Sequence, residues 1–276
     1  MISLSAPFLD DPRSALSWML RIASYGGLVN TAELLSRPEI LREGGLVSWE
    51  IGSLRMPFMS VGRWGRFWDF WQRSPVFHGL LWLRVAVFAT GLLAPAAMVT
   101  HPGAIALSWW LLFLFNRRNH LGQDGADHML LIIFFAATVA SVWQTRATIV
   151  LALVLVSFQS ALSYVTAGVA KVTAAGWRDG TFLGSVLGTN IYGMAAVGAI
   201  LRESPVLSAV LSWVLMLWEI TFPLAWVVPW PYGAVWVAGG LIFHAITAVV
   251  MGLNSFLPAF VAAYPAILYL LKNKGW

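Results

Sequence analysis

The chain of 276 residues contains no cysteine. Disulfides, thiolate-held metals and thiol nucleophiles are therefore excluded, and no metal site is expected. Charge is scarce as well, with Asp, Glu, Lys and Arg together making up 11% of the residues. The 17 Lys and Arg outnumber the 12 Asp and Glu, but the basic residues are scattered among connecting segments. That scatter argues against nucleic acid as a partner and assigns the net charge of +5 to topology and lipid headgroups. Alternation of apolar and polar residues at period two is missing, which excludes a transmembrane β-barrel. The first 13 residues hold Asp10, Asp11 and one basic residue, Arg13, so no cleavable signal peptide is expected. Internal repeats, low-complexity tracts and linkers are also missing, and a single domain over residues 1–276 is expected.

Apolar residues, by contrast, make up 59% of the chain. Runs near 20 residues recur, and about 20 helical residues cross the hydrocarbon core of a bilayer. Lipid offers no partners to backbone N–H and C=O groups, so these runs must be helical. The predicted fold is all-α: a polytopic transmembrane helix bundle with eight or nine spans, multi-pass in the cell membrane, with the lipid bilayer as its main partner. The eight clearer spans cover 14–35, 77–99, 104–115, 129–143, 147–171, 205–228, 231–251 and 256–271. The stretch 181–201 is rich in glycine (Gly184, Gly188, Gly193, Gly198) and suits a ninth span, a re-entrant segment or an interfacial one. Several of the 16 tryptophans flank apolar runs, among them Trp143, Trp177, Trp230 and Trp276, as interfacial belts do. In the arginine-rich connection after the first span, Trp64, Phe67, Trp68 and Trp71 recur at helical spacing, opposite Arg66, Asp69 and Arg73. This predicts one interfacial amphipathic helix lying on headgroups.

Ionisable residues inside such spans are expensive and point to function by default. Arg21, Lys171, Glu219 and His244 are the candidates. On the fifth span, Ser157, Ser160, Tyr164, Gly168 and Lys171 fall within about 80° of one another, a polar and small-residue stripe that faces other helices or a cavity. With eight alternating spans, His120, Asp127, His128, Lys171, Arg178 and Asp179 gather near one mouth of the bundle. Each also has a structural role open to it. Lys171 and Asp127 suit helix ends of the matching polarity, with Asp127 a candidate cap of the fourth span. Glu219 is a candidate ion-pair partner of Arg21 or Arg84, and His244 a hydrogen-bonded packing residue.

Four segments carry a family pattern. They are Leu20-Arg21-Ile22, Arg118-Asn119-His120 followed by Gly125-Ala126-Asp127, and Tyr164 to Lys171 with Ala167-Gly168 inside and Trp177-Arg178-Asp179-Gly180 after. The fourth is Trp218-Glu219-Ile220-Thr221-Phe222-Pro223 with Phe243-His244 and Met251 to Phe256. In this order the chain resembles the HTTM family, the membrane domain shared with vitamin K-dependent gamma-carboxylase. The resemblance implies a reduced, vitamin K-like quinone as cofactor and Lys171 as the base that deprotonates it. The quinol anion then reacts with oxygen to give a stronger base, which removes a carbon-bound proton before carbon dioxide adds. His120 and His244 would share the catalysis, and Tyr164, Asn119, Asp127, Arg178, Glu219 and Arg21 would contact substrate. It also implies a peptide substrate, with a partner subunit supplying an extramembrane domain. The resemblance sets the Lys171 face outside the cell, whereas the arginine-rich first connection favours the cytoplasm. The residues by themselves equally admit a non-catalytic membrane subunit, an immunity or assembly factor, or a small transporter.

Overall fold

The computed structural model describes residues 6–42, 44–45, 47–54, 61–119, 123–189 and 193–274, and among them every regular element is a helix. They divide into two compact units, 16–152 and 1–15 with 153–276. Among the described residues, six helical stretches are long and apolar enough to cross a membrane: Pro75–Leu93, Gly125–Trp143, Arg146–Thr173, Pro205–Trp226, Ala234–Met251 and Phe256–Asn273. The chain is thus a helical, multi-pass membrane protein.

The 16–152 unit begins in α1 (Pro12–Leu35), whose apolar run is diluted by Arg21, Asn30 and Glu33. Arg21 does not float in the hydrocarbon: its Nε donates to the Leu92 carbonyl at 3.0 Å and its guanidinium lies over the Trp18 ring. Two short helices follow, α2 (Trp49–Leu54) and α3 (Gly62–Gln72). The expected second span is broken by Pro95, which cannot continue a hydrogen-bonded helix, into α4 (Ser74–Leu93) and α5 (Pro95–Val99). Then come α6 (Pro102–Arg118) and α7 (Gly125–Trp143), which pack on each other. The start of α7 corrects the predicted cap. Asp124 is the N-cap, accepting from the Ala126 and Asp127 N–H groups, and Asp127 returns a bond to the Asp124 N–H. Both ends of a capping box are therefore filled. Burial pushes the Asp124 carboxyl above its ordinary range.

The aromatic stripe of α3 is split rather than laid whole on headgroups. Trp68 is buried against Phe113 and Trp71 meets Trp110 edge to face, whereas Trp64, Phe67 and Phe70 point outward. The core beneath α3 contains Leu41, Val47, Phe77, Leu81, Leu111 and Phe115. Arg118, at the end of α6, clasps the connection to this core. Its Nε, Nη1 and Nη2 donate to the carbonyls of Val47, Gln72 and Leu41 at 2.8, 2.7 and 2.5 Å, and its guanidinium stacks over Phe77.

The second unit runs from residue 153 within α8 (Arg146–Thr173) through α9 (Ala175–Arg178), α10 (Thr181–Leu187) and α11 (Ala195–Glu203) to α12 (Pro205–Thr221). It ends in α13 (Ala234–Met251), α14 (Phe256–Val261) and α15 (Tyr264–Asn273). The glycine-rich stretch 181–201 falls in α10 and α11, of 7 and 9 residues, which pack together. Each is far below the about 20 residues of a span. Lys272 pairs with Asp10 at 2.6 Å and Asn273 holds the Leu9 carbonyl, so residues before α1 are tied to α15.

Gly180 closes the junction between α8 and α10. Its φ is +84°, its carbonyl accepts from the Ser208 hydroxyl at 2.6 Å, and a Cβ there would run into the Ala209 backbone. Gly180→Ala is expected to lower stability by about 2–4 kcal/mol, from the left-handed backbone and the forced separation of α12. Thermal unfolding of the detergent-solubilised chain reads this as a lowered midpoint.

Candidate functional site

The polar stripe of α8 is buried as its periodicity predicts: Ser157, Ser160, Tyr164 and Gly168 are all inside the unit, and Lys171 is half-buried. Gly168 decides how near α12 comes. A Cβ there would sit 2.8 Å from Ile220 Cγ1 and 2.9 Å from Glu219 Cβ, closer than real side chains approach. One turn further along α8, that proximity puts Lys171 against Glu219. Lys171 Nζ donates to Glu219 Oε1 at 2.7 Å and to Oε2 at 2.9 Å. The glutamate side chain is 2% exposed and the lysine 19%. Lys171 also stands 5.7 Å from the Trp177 ring centre. A lysine and a glutamate that meet inside membrane-spanning helices match the expectation that intramembrane charges pair. Glu219 has Lys171 as its ion-pair partner, not the Arg21 or Arg84 considered from sequence.

Two turns earlier on the same stripe, about 10 Å along the axis, the Tyr164 hydroxyl lies 2.9 Å from His244 Nε2 and 3.2 Å from the Tyr264 hydroxyl. Rings of Trp218, Phe222 and Phe260 surround Tyr164, and His244 stacks on Phe260 at 4.5 Å. His244 Nδ1 is buried and has no partner among the described residues. The two hydroxyls and the imidazole can be hydrogen-bonded in either direction: Tyr264 to Tyr164 to Nε2, or Nε2–H to Tyr164 to Tyr264. A chain that reverses in this way can pass a proton without moving a heavy atom.

The remaining sequence candidates have other surroundings. Arg178 is exposed and donates to the Val172 carbonyl, closing the end of α8. Its neighbour Asp179 accepts from both the N–H and the hydroxyl of Thr181, which hold its carboxyl below the usual range. Both residues therefore shape the junction. Asn119, Asp127 and Arg21 belong to the 16–152 unit. Asn119 ends α6, its N–H bonded to the Phe115 carbonyl. Asp127 Oδ1 accepts from Asn30, whose amide oxygen in turn accepts from Arg84 at 2.8 Å. Arg84 is wholly buried between Phe88 and Phe115. His120 lies outside the described residues.

Tyr264 was not among the sequence candidates, yet it completes the hydroxyl chain. A tyrosine in an apolar helix whose hydroxyl needs a buried partner was the available signal. The Arg84–Asn30–Asp127 chain was also missed as a unit, because its members come from three separate helices. No group of three or more His, Asp or Glu residues suited to a metal occurs among the described residues. Compared with known proteins, the chain matches no family model, no curated protein and no solved structure.

Proposed function

We propose that this membrane protein is an HTTM-like enzyme that takes a proton from a lipid-soluble acid such as a quinol, with Lys171 as the acceptor. The observation that carries this reading is the Lys171–Glu219 pair on the stripe that also bears the Tyr164–His244–Tyr264 chain. Together these are proton-handling groups within spans that otherwise carry little charge. The rings of Trp218, Phe222 and Phe260 pack on Tyr164 and keep its hydroxyl in apolar surroundings, and the buried, unpartnered His244 Nδ1 is free to bond a substrate hydroxyl. A bound quinol supplies an ionisable hydroxyl and a ring that gives up electrons to oxygen. Glu219 holds the lysine in place and takes up or returns the proton that the amine carries. Peptide modification with a partner subunit is the downstream use that the family resemblance proposes.

A second reading has its own observation in favour. The pair is bidentate and sits one turn from Gly168, which lets α12 come close to α8, as a lock between helices would. This suits a non-catalytic membrane subunit. Lys171→Arg separates the two, because a guanidinium keeps the ion pair but does not deprotonate in proteins. The measurement is oxygen-dependent oxidation of a short-chain naphthoquinol by the purified chain, followed by quinone absorbance. The enzyme reading expects the wild type to exceed the protein-free rate and Lys171→Arg to lose about 100-fold or more of that excess. Equal rates in the two proteins, or no excess in the wild type, sink it and leave the lock.

A further inference from the structure

The 16–152 unit holds a separate cavity that neither the pair nor the hydroxyl chain uses. It is open to the outside, measures about 170 Å³, and is lined by Ser48, Glu50, Asp69, Gln72, Arg73 and Arg118, with Trp49 alongside. Three of its polar residues are almost wholly buried, Ser48 at 2%, Gln72 at 1% and Arg118 at 3% exposure. Ser48 Oγ and Gln72 Oε1 nevertheless have no hydrogen-bond partner among the described residues. Buried polar atoms without partners are costly, at about 1–3 kcal/mol each, and call for an explanation, of which a ligand in the adjoining cavity is one.

The lining carries charge of both signs. Gln72 Nε2 is committed to the Leu114 carbonyl, so the amide presents its oxygen as an acceptor. Asp69 Oδ1 accepts from Trp49 Nε1 at 2.7 Å, leaving its other oxygen, and the exposed Glu50 adds a second carboxylate. These three acceptors match the three N–H donors of a primary ammonium. Arg118 is committed to three carbonyls, whereas Arg73 is exposed at the rim and forms no ion pair among the described residues. A guanidinium so placed suits phosphate. A purely anionic ligand would meet two carboxylates, and a purely cationic one would leave Arg73 unused.

Position identifies the source. Gln72 and Arg73 immediately precede the membrane-crossing stretch Pro75–Leu93, and the neighbouring α3 turns Trp64 and Phe67 outward. Both features belong to the headgroup layer of a bilayer. We infer that this cavity is a binding site for a phosphoethanolamine group, presented by an aminophospholipid.

The test is native mass spectrometry of the full detergent-solubilised chain, loaded in turn with phosphatidylethanolamine, its mono- and dimethylated forms, and phosphatidylcholine. Each methyl removes one N–H donor without removing the phosphate. Retention is expected to fall stepwise, to about tenfold less for the choline lipid, as lost charge-assisted hydrogen bonds imply. Asp69→Asn with Glu50→Gln, which keeps an acceptor for Trp49, should level the series without changing the unfolding midpoint. Equal retention of all four lipids by the wild type overturns the site. Free phosphoethanolamine added as competitor settles the source. Displacement of the lipid at equal concentration upholds the chemistry but makes the ligand soluble, and no displacement upholds the lipid.

Discussion

Lys171→Met should destabilise the protein by about 3–5 kcal/mol, Glu219→Leu by less, and the two changes together by close to nothing. The inequality follows from exposure. Removing the lysine leaves a carboxylate that is 2% exposed without its ion-pair partner. Removing the glutamate leaves an ammonium on a flexible stem that is 19% exposed, which can reach the interface by snorkelling. Replacing both partners by apolar residues of similar size removes the desolvation cost along with the attraction, a trade that is often neutral. A double-mutant cycle on unfolding in detergent therefore expects a coupling of about 3 kcal/mol or more between positions 171 and 219. Additive single effects would mean that the two side chains do not depend on each other for their burial.

Arg118→Leu should cost about 3 kcal/mol or more. Three carbonyls, those of Leu41, Val47 and Gln72, lose their donor at once, and each buried group left unpaired costs about 1–3 kcal/mol. The guanidinium remains charged at neutral pH even though burial lowers its pKa to about 10. Arg118→Lys should recover only part of the loss. An ammonium has three donors on one atom and cannot fan out to three carbonyls as the planar fork does. Since two of those carbonyls lie in the connection between α1 and α3, limited proteolysis within 36–61 should accelerate in Arg118→Leu before the spans themselves are cut. Unchanged cleavage there would assign the arginine's role to its stacking on Phe77 alone.

The helical stripe on α8 was legible because its information is local. Spacing at 100° per residue places Tyr164, Gly168 and Lys171 on one side whatever surrounds the helix. What the stripe meets was not legible. Lys171 and Glu219 lie 48 positions apart, and Tyr164 and Tyr264 lie 100 apart. Nothing in local pattern ranks Glu219 above the other buried charges as a partner for a given cation. The α3 aromatics show the opposite difficulty. Their periodicity was plain, but Trp68 and Trp71 found Phe113 and Trp110 on α6 before they found lipid. At the start of α7 two aspartates three residues apart both suit a cap, and the choice of Asp124 depends on where the helix begins. The division of 181–201 between two short helices was foreshadowed by glycine content, though a weak span and a pair of short helices share that composition.

The bidentate pair also bears on how the protein responds to an electric field. Moving one elementary charge through a membrane potential of 100 mV changes its energy by about 2.3 kcal/mol. Lys171 and Glu219 together carry no net charge, so a motion that shifts them as a unit does no work against the field. Only a step that parts them, or lets a proton enter or leave the pair, moves charge. At this site, voltage would therefore act only on the event in which the pair opens.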